Sequence, residues 1–256
     1  MAEIQSLARG LRALDILEAE TEGMGVTGLA RRIDIDKSTA SRIMKTLAIY
    51  GYVEQSSETR RYILGPRLVR LGQSLLNRTP LRDQARPYLR ELVAQTQECA
   101  HIAVRANDQV LYLDQVEAAA SLRVSSGVGT LAPLHCTALG KVLLAFGDSR
   151  LPEQLERYTP RTITDADTLR MHLEQARRQG YAIDDEEFSY DVRCVAVPLY
   201  GLEGELVGAI GISGPGARLA LSRIHDLAQV VQRIGQALSD RLSYRHEEYE
   251  ASGEDA

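Results

Sequence analysis

Three cysteines in 256 residues (Cys99, Cys136 and Cys194), odd in number and widely spaced, exclude a disulfide framework and a CxxC metal clip. They read as small buried hydrophobes in a reducing compartment. Long apolar runs are also missing: nothing approaches the roughly 18 consecutive apolar residues of a membrane span. The opening MAEIQSLARG lacks the basic start and apolar centre of a secretory signal, so a cytoplasmic protein is expected. Internal repeats and low-complexity tracts are absent as well.

What remains has the balance of a soluble globular protein, 44% apolar and 25% charged, and is long enough for two ordinary domains. The net charge of −5 conceals an asymmetry. Through Arg78 there are 12 Lys+Arg against 9 Asp+Glu, or +3, whereas the remainder has 18 against 26, or −8. Such a split suggests one segment that meets a polyanion and another that does not.

The first segment reads as helices followed by a β-hairpin. Leu7, Leu11, Leu14 and Leu17 recur at helical spacing, and EGMG breaks the helix. VTGLARRIDI predicts a short second helix with Leu29, Ala30 and Ile33 turned inward. Asp36 suits the N-cap of a third helix and Gly51 its left-handed end. On that helix Ala40, Ile43, Leu47 and Tyr50 point to a core, which leaves Ser38, Ser41, Arg42 and Lys45 opposite. YVEQ and RRYILG then predict two strands around SSET, and PRLVRLGQSLLNR a further helix with a wide apolar face.

Helix, tight turn, polar-faced helix and hairpin make a winged helix-turn-helix, whose second helix enters the major groove. Short hydroxyls allow close approach, Arg forks onto guanine, and Lys meets phosphate. The candidate DNA contacts are Thr27, Lys37, Ser38, Thr39, Ser41, Arg42 and Lys45, with Arg60 and Arg61 on the wing.

The second segment mixes helices with antiparallel hairpins. CAHIAVRANDQVLYLDQVE and CVAVPLYGLEGELVGAIGIS each read as a hairpin, and SLRVSS as a strand. LRDQARPYLRELVAQTQE (with Pro87 as an irregularity), TALGKVLLAF and DADTLRMHLEQARRQG read as helices. A long helix from about Leu219 to Tyr244 carries Ile224, Leu227, Val231, Ile234 and Leu238 on its stripe. The fold class is α+β. The expected organisation is a DNA-binding domain at 1–65, a linker helix at 66–79, a sensing domain at 80–246 and an acidic, disordered tail at 247–256.

No catalytic set emerges. Lys141 follows a glycine but lacks the rest of a phosphate loop, since His135 stands where the first glycine belongs. GISGP imitates a nucleophile elbow but ends on Pro215. DDEE at 184–187 offers carboxylates with no His nearby in sequence. His101, His135, Cys136, Asp184 and Cys194 are metal-ligand types, but their spacing matches no known clip, and no metal or cofactor is expected.

The stretch VTGLARRIDIDKSTASRIMKTLAIYGYVEQ, with RRYILGPRLVRLG after it, resembles the DNA-binding half of the IclR family of bacterial transcriptional regulators. The resemblance continues through APLHCTALGKVLLAF, TITDADTLRMHLEQARRQGYAIDDEEF, RCVAVPL and AIGISGP, over about residues 6 to 240. It implies a winged helix-turn-helix, a linker helix and a GAF-like domain that binds a small effector, typically an organic acid. It also implies a homodimer or homotetramer on a palindromic double-stranded operator, with no membrane partner. Effector contacts would fall on Ala138, Leu139, Asp184, Cys194, Gly211 and Ser213. Two positions depart from the family pattern: Gly211 stands where many relatives carry a hydroxyl, and Asp191 where a glycine is usual. The rival reading is an enzyme or metabolite-binding module whose first domain only dimerises.

Overall fold

The computed structural model describes residues 3–77, 80–118, 127–147 and 150–251. The chain divides into two compact units, Met1–Thr79 and Pro80–Ala256.

In the first unit α1 (Gln5–Glu18), α2 (Val26–Ile33) and α3 (Lys37–Ile49) precede a two-stranded antiparallel wing, β1 (Val53–Gln55) and β2 (Tyr62–Leu64), and then α4 (Pro66–Asn77). The core is Ala13, Leu17, Leu29, Ile33, Met44, Val53 and Tyr62. Asp34 ends α2 in the left-handed region, and Asp36 caps α3 by accepting the Thr39 N–H at 2.9 Å. Gly51, at φ +74°, turns the chain from α3 into the wing. Gly65 is fixed by close approach, because a Cβ there would lie 2.4 Å from the Gly51 carbonyl oxygen. The Gly65 N–H donates to Tyr52 O at 2.8 Å, so the far end of the wing is tied to the end of α3.

Two expected core stripes shift. On α3, Ala40 and Met44 are buried, Ile43 and Leu47 half-buried, and Tyr50 is 68% exposed. The buried direction lies a residue away from the one the spacing suggested, because Tyr50 already belongs to the helix's frayed C-cap. On α1, Gly10, Ala13 and Leu17 face the core, while Leu7 and Leu11 remain 59% and 54% exposed.

The second unit is built on a six-stranded antiparallel sheet in the order β5-β4-β3-β8-β7-β6. Its strands are β3 (Cys99–Ala106), β4 (Gln109–Val116), β5 (Leu131–Pro133), β6 (Ala182–Asp185), β7 (Val192–Tyr200) and β8 (Leu206–Pro215). Two hairpins, β3–β4 and β7–β8, meet along the pairing of β3 with β8, where His101 stands opposite Gly211 and Cys99 opposite Ser213. Helices α5 (Pro80–Thr96) and α8 (Ile224–Ala251) pack on each other and on the sheet. α6 (Ala138–Phe146) and α7 (Ala166–Gln179) pack together, with Ala103, Tyr112 and Ala196 of the sheet in their core. Pro87 is held inside α5 without ending it.

The tail expected to be disordered from 247 continues as helix to Ala251 instead. β6 was hidden because AIDD alternates for only four residues and takes its identity from pairing with β7. The expected strand SLRVSS at 121–126 lies outside the described residues.

Candidate functional sites

On α3 the side chains of Lys37, Ser38, Arg42 and Lys45 are exposed, and Thr39 and Ser41 are half-buried beside them. The Ser38 hydroxyl donates to the Asp36 carboxylate, as does the Thr39 N–H. These bonds hold the Asp36 carboxyl well below the usual carboxylate range. Asp36 therefore occupies part of the helix N-terminus that a phosphate would otherwise meet, and Ser38 is left with its oxygen free to accept. Thr27 is exposed in the first turn of α2.

At the wing tip Ser56 N–H donates to Arg61 O at 2.9 Å and Arg60 N–H to Ser56 O at 3.0 Å. Arg60 adopts a left-handed φ of +58°, and Gln55 donates to its carbonyl at 2.9 Å. Arg60 and Arg61 both project into solvent, with Arg61 only 3.5 Å from the exposed Glu22 carboxylate. A pair that exposed contributes little and is easily exchanged for a phosphate. The candidate contacts thus gather on the exposed side of α3 and at the wing. A groove of about 660 Å³ between α1 and α3 was not legible in the sequence; Leu7, Leu11, Ile43 and Leu47 line it, with Thr39 and Arg42 at its edge.

In the second unit a cavity of about 180 Å³ lies where the N-terminus of α6 meets the sheet. All six positions named from the sequence line it: Ala138, Leu139, Asp184, Cys194, Gly211 and Ser213. Thr137 caps α6, its hydroxyl accepting the Gly140 N–H at 3.1 Å, and the first-turn amides of Ala138 and Leu139 have no intrahelical acceptor. The positive end of the helix dipole therefore points at the cavity. Gly211 is required by packing: a Cβ there would lie 2.4 Å from Val195 O and 2.9 Å from Ala196 Cβ.

Beneath the cavity a charged cluster is sealed from water. Lys141, 2% exposed, donates to Glu187 Oε1 at 2.5 Å. This ion pair removes any resemblance to a phosphate-loop lysine. Asp184 accepts the Glu187 and Phe188 N–H groups at 2.7 and 3.4 Å. Burial pushes its carboxyl up to about 7, opposed by Lys141 and reinforced by Glu187. Burial also raises the Cys194 thiol beside it.

The segment from Glu186 to Asp191 covers the site from residues Phe188 and Ser189. It starts and ends on left-handed residues, Glu186 at φ +60° and Asp191 at +57°, which explains why glycine suits position 191. Outside groups hold it: Thr159 donates to Glu186 O at 2.7 Å and Thr162 to Glu187 O at 2.6 Å. Arg193 bonds Asp185 Oδ1 through Nε at 2.7 Å and the carbonyls of Gly216 and Leu219 at 2.8 and 2.6 Å.

His101 and Tyr112 also line the cavity and were not foreseen as effector contacts. The only sequence cue was alternation along CAHIAVRA, which puts Cys99, His101 and Ala103 on one face. The sequence-level metal candidates are otherwise occupied: His101 bonds Ser213 and His135 bonds Glu156 O. Among the described residues no group of three or more His, Cys, Asp or Glu side chains could hold a metal ion.

A winged helix with an exposed polar and basic helix face, carried on one chain with an α+β domain enclosing a small cavity, defines a ligand-responsive transcriptional regulator. Comparison with known proteins makes this specific. The family described as IclR helix-turn-helix domain matches residues 6–57, and the one described as Bacterial transcriptional regulator IclR C-terminal matches residues 73–240. The chain is 36% identical over 248 residues to the HTH-type transcriptional regulator BhcR of Paracoccus denitrificans, covering 94% of this chain and 88% of the relative. It is 33% identical over 250 residues to XynR of Escherichia coli, covering 95% and 99%. The crystal structure of the Thermotoga maritima IclR superposes with a TM-score of 0.73 at 29% identity, covering 94% of this chain and 100% of that one. The chain belongs to the IclR family of bacterial transcriptional regulators, with an N-terminal DNA-binding domain and a C-terminal effector-binding domain.

Proposed function

We propose that residues 1–65 read one half of a palindromic operator through Ser38, Ser41, Arg42 and Lys45, with Thr27, Lys37, Thr39, Arg60 and Arg61 engaging the backbone. Residues 66–79 form the connection, and 80–246 sense a small organic acid through Ala138, Leu139, Asp184, Cys194, Gly211 and Ser213. The observation that carries the effector reading is the cavity itself, where unpaired first-turn amides of α6 face a buried carboxyl on an otherwise largely apolar wall. Its volume of about 180 Å³ suits an acid of roughly six to ten non-hydrogen atoms, since a cavity of about 150 Å³ accepts benzene.

The protein works in the cytoplasm as a homodimer or homotetramer and catalyses no reaction. Exposed Leu7 and Leu11 on α1 support association of copies. The one arrangement that suggests catalysis, Ser213 beside His101 at 2.6 Å, lies inside β8 rather than on a strand-to-helix turn. His101 Nδ1 has no carboxylate to orient it among the described residues.

Effector binding changes DNA affinity only by its preference between the DNA-competent and incompetent arrangements. The test is a mobility-shift titration of the full chain on the DNA upstream of its own gene, with and without small carboxylic acids. Tight, salt-sensitive binding that at least one acid changes is expected. Weak binding, equal on unrelated DNA and indifferent to every acid, would return the chain to the rival reading.

A further inference from the structure

We propose that His101 determines effector specificity, its ring hydrogen-bonding a hydroxyl or carbonyl oxygen that the acid carries away from its carboxylate. The inference rests on reading the cavity as the effector site and deepens that reading to a class: small hydroxy- or oxo-monocarboxylic acids.

His101 sits on β3 in the middle of the sheet, 3% exposed, on the wall facing the α6 amides. Its neighbours hold the ring in place. Nε2 lies 2.6 Å from Ser213 Oγ, and the Tyr112 ring meets it edge-on at 5.6 Å and 83°. The other nitrogen, Nδ1, is buried with no hydrogen-bond partner among the described residues. Buried polar atoms are almost always paired, so an unpaired one beside a ligand-sized cavity marks where a ligand atom binds. The strand register adds room: directly opposite His101 stands Gly211, which the approach of Val195 and Ala196 keeps free of a side chain. No side chain on that position of β8 stands between the ring and the cavity.

The chemistry selects the ligand group. Burial lowers the imidazole to about 4, so the ring is neutral near pH 7 and carries one N–H and one lone pair. The Ser213 hydroxyl can rotate to accept from Nε2 or to donate to it. Nδ1 is then presented as acceptor or donor, which fits a hydroxyl in either sense and a carbonyl as acceptor. A second carboxylate would find no cation there and would lie near Asp184 and Glu187. Monoacids are therefore favoured over diacids.

The experiment uses the full-length protein and matched pairs: lactate and pyruvate against propionate, and mandelate against phenylacetate. Calorimetry gives each affinity, and release or capture of operator DNA gives the response. The wild type should prefer the oxygen-bearing member by about ten- to a hundredfold, the range of one buried hydrogen bond. His101→Leu should abolish that preference while binding the parent acid within about threefold of wild type. His101→Asn, which still donates and accepts, should keep part of it. Nitrogen-labelled histidine supplies a readout that needs no variant: the ring nitrogen resonances should move with the hydroxy acid and not with its parent. An unchanged preference in His101→Leu, equal loss of both members, or ring nitrogens indifferent to the hydroxy acid overturns the role of His101 alone. Failure of every acid to bind the wild type overturns the effector reading, and this inference with it.

Discussion

Replacing Asp184 by Asn should remove a pH dependence of effector affinity that the wild type shows between pH 6 and 8. Burial holds the Asp184 carboxyl at about 7, and its oxygens lie against the cavity. The groups around it titrate elsewhere: His101 is lowered to about 4, and the thiols of Cys194 and Cys136 are raised by burial. His135 and His172, on neighbouring segments, are both lowered by burial. Lys141 and Glu187 form the buried pair below. A short carboxylic acid is fully ionised throughout this range. If the anion enters only beside a neutral Asp184, affinity follows the protonated fraction, which falls about tenfold from pH 6 to pH 8, or about 1.4 kcal/mol. The same proton governs stability with a definite sign. Between about 4 and 7 the folded form keeps a proton that the unfolded chain has lost, so its contribution to stability is complete at low pH and fades as pH rises through 7. Calorimetry of the best-binding acid at pH 6, 7 and 8, on wild type and Asp184→Asn, measures the effect. A flat wild-type profile, or a tenfold dependence that survives in the variant, would refute the reasoning.

Arg42→Ala should weaken specific operator binding by about 1–3 kcal/mol, the worth of one good bidentate base contact. Arg60→Ala and Arg61→Ala should weaken all DNA alike, each lowering the salt slope by about 0.9 per phosphate lost; mobility shifts at two salt concentrations on specific and random DNA separate the cases. Lys141→Met leaves Glu187 charged and buried, so denaturant melts should show a loss of about 3–5 kcal/mol, partly restored in Lys141→Met/Glu187→Met. Asp191→Gly should be neutral or stabilising by up to about 1 kcal/mol, because glycine adopts the left-handed region freely, whereas Asp191→Val should lower the melting temperature.

The winged helix was legible because each part has a local cause. Asp36 before an amphipathic run and Gly51 after it fix α3 within a few residues, and the wing strands alternate around polar SSET. The side of α3 that faces inward was less legible. Met44 and Tyr50 are both apolar, and only the packing of α1 and α2 decides that Met44 goes inside. The six cavity positions became visible through resemblance to a family rather than through their own spacing, since they come from α6, β6, β7 and β8. His101 stayed hidden for a related reason. On its own strand it is one more inward residue, and its meaning depends on Gly211 and Ser213, more than a hundred residues away.

That distance has a consequence for how the domain assembles. The two hairpins can form locally, but the seam between β3 and β8 closes a loop of over a hundred residues, the kind of contact that forms late and slowly. It is fastened by His101 to Ser213 and by the Arg218 guanidinium gripping Glu98 at 2.6 and 2.7 Å. The cavity lies across this seam, so it exists only once the last long-range pairing is complete. A metabolite bound there holds together the contact that the chain is slowest to make.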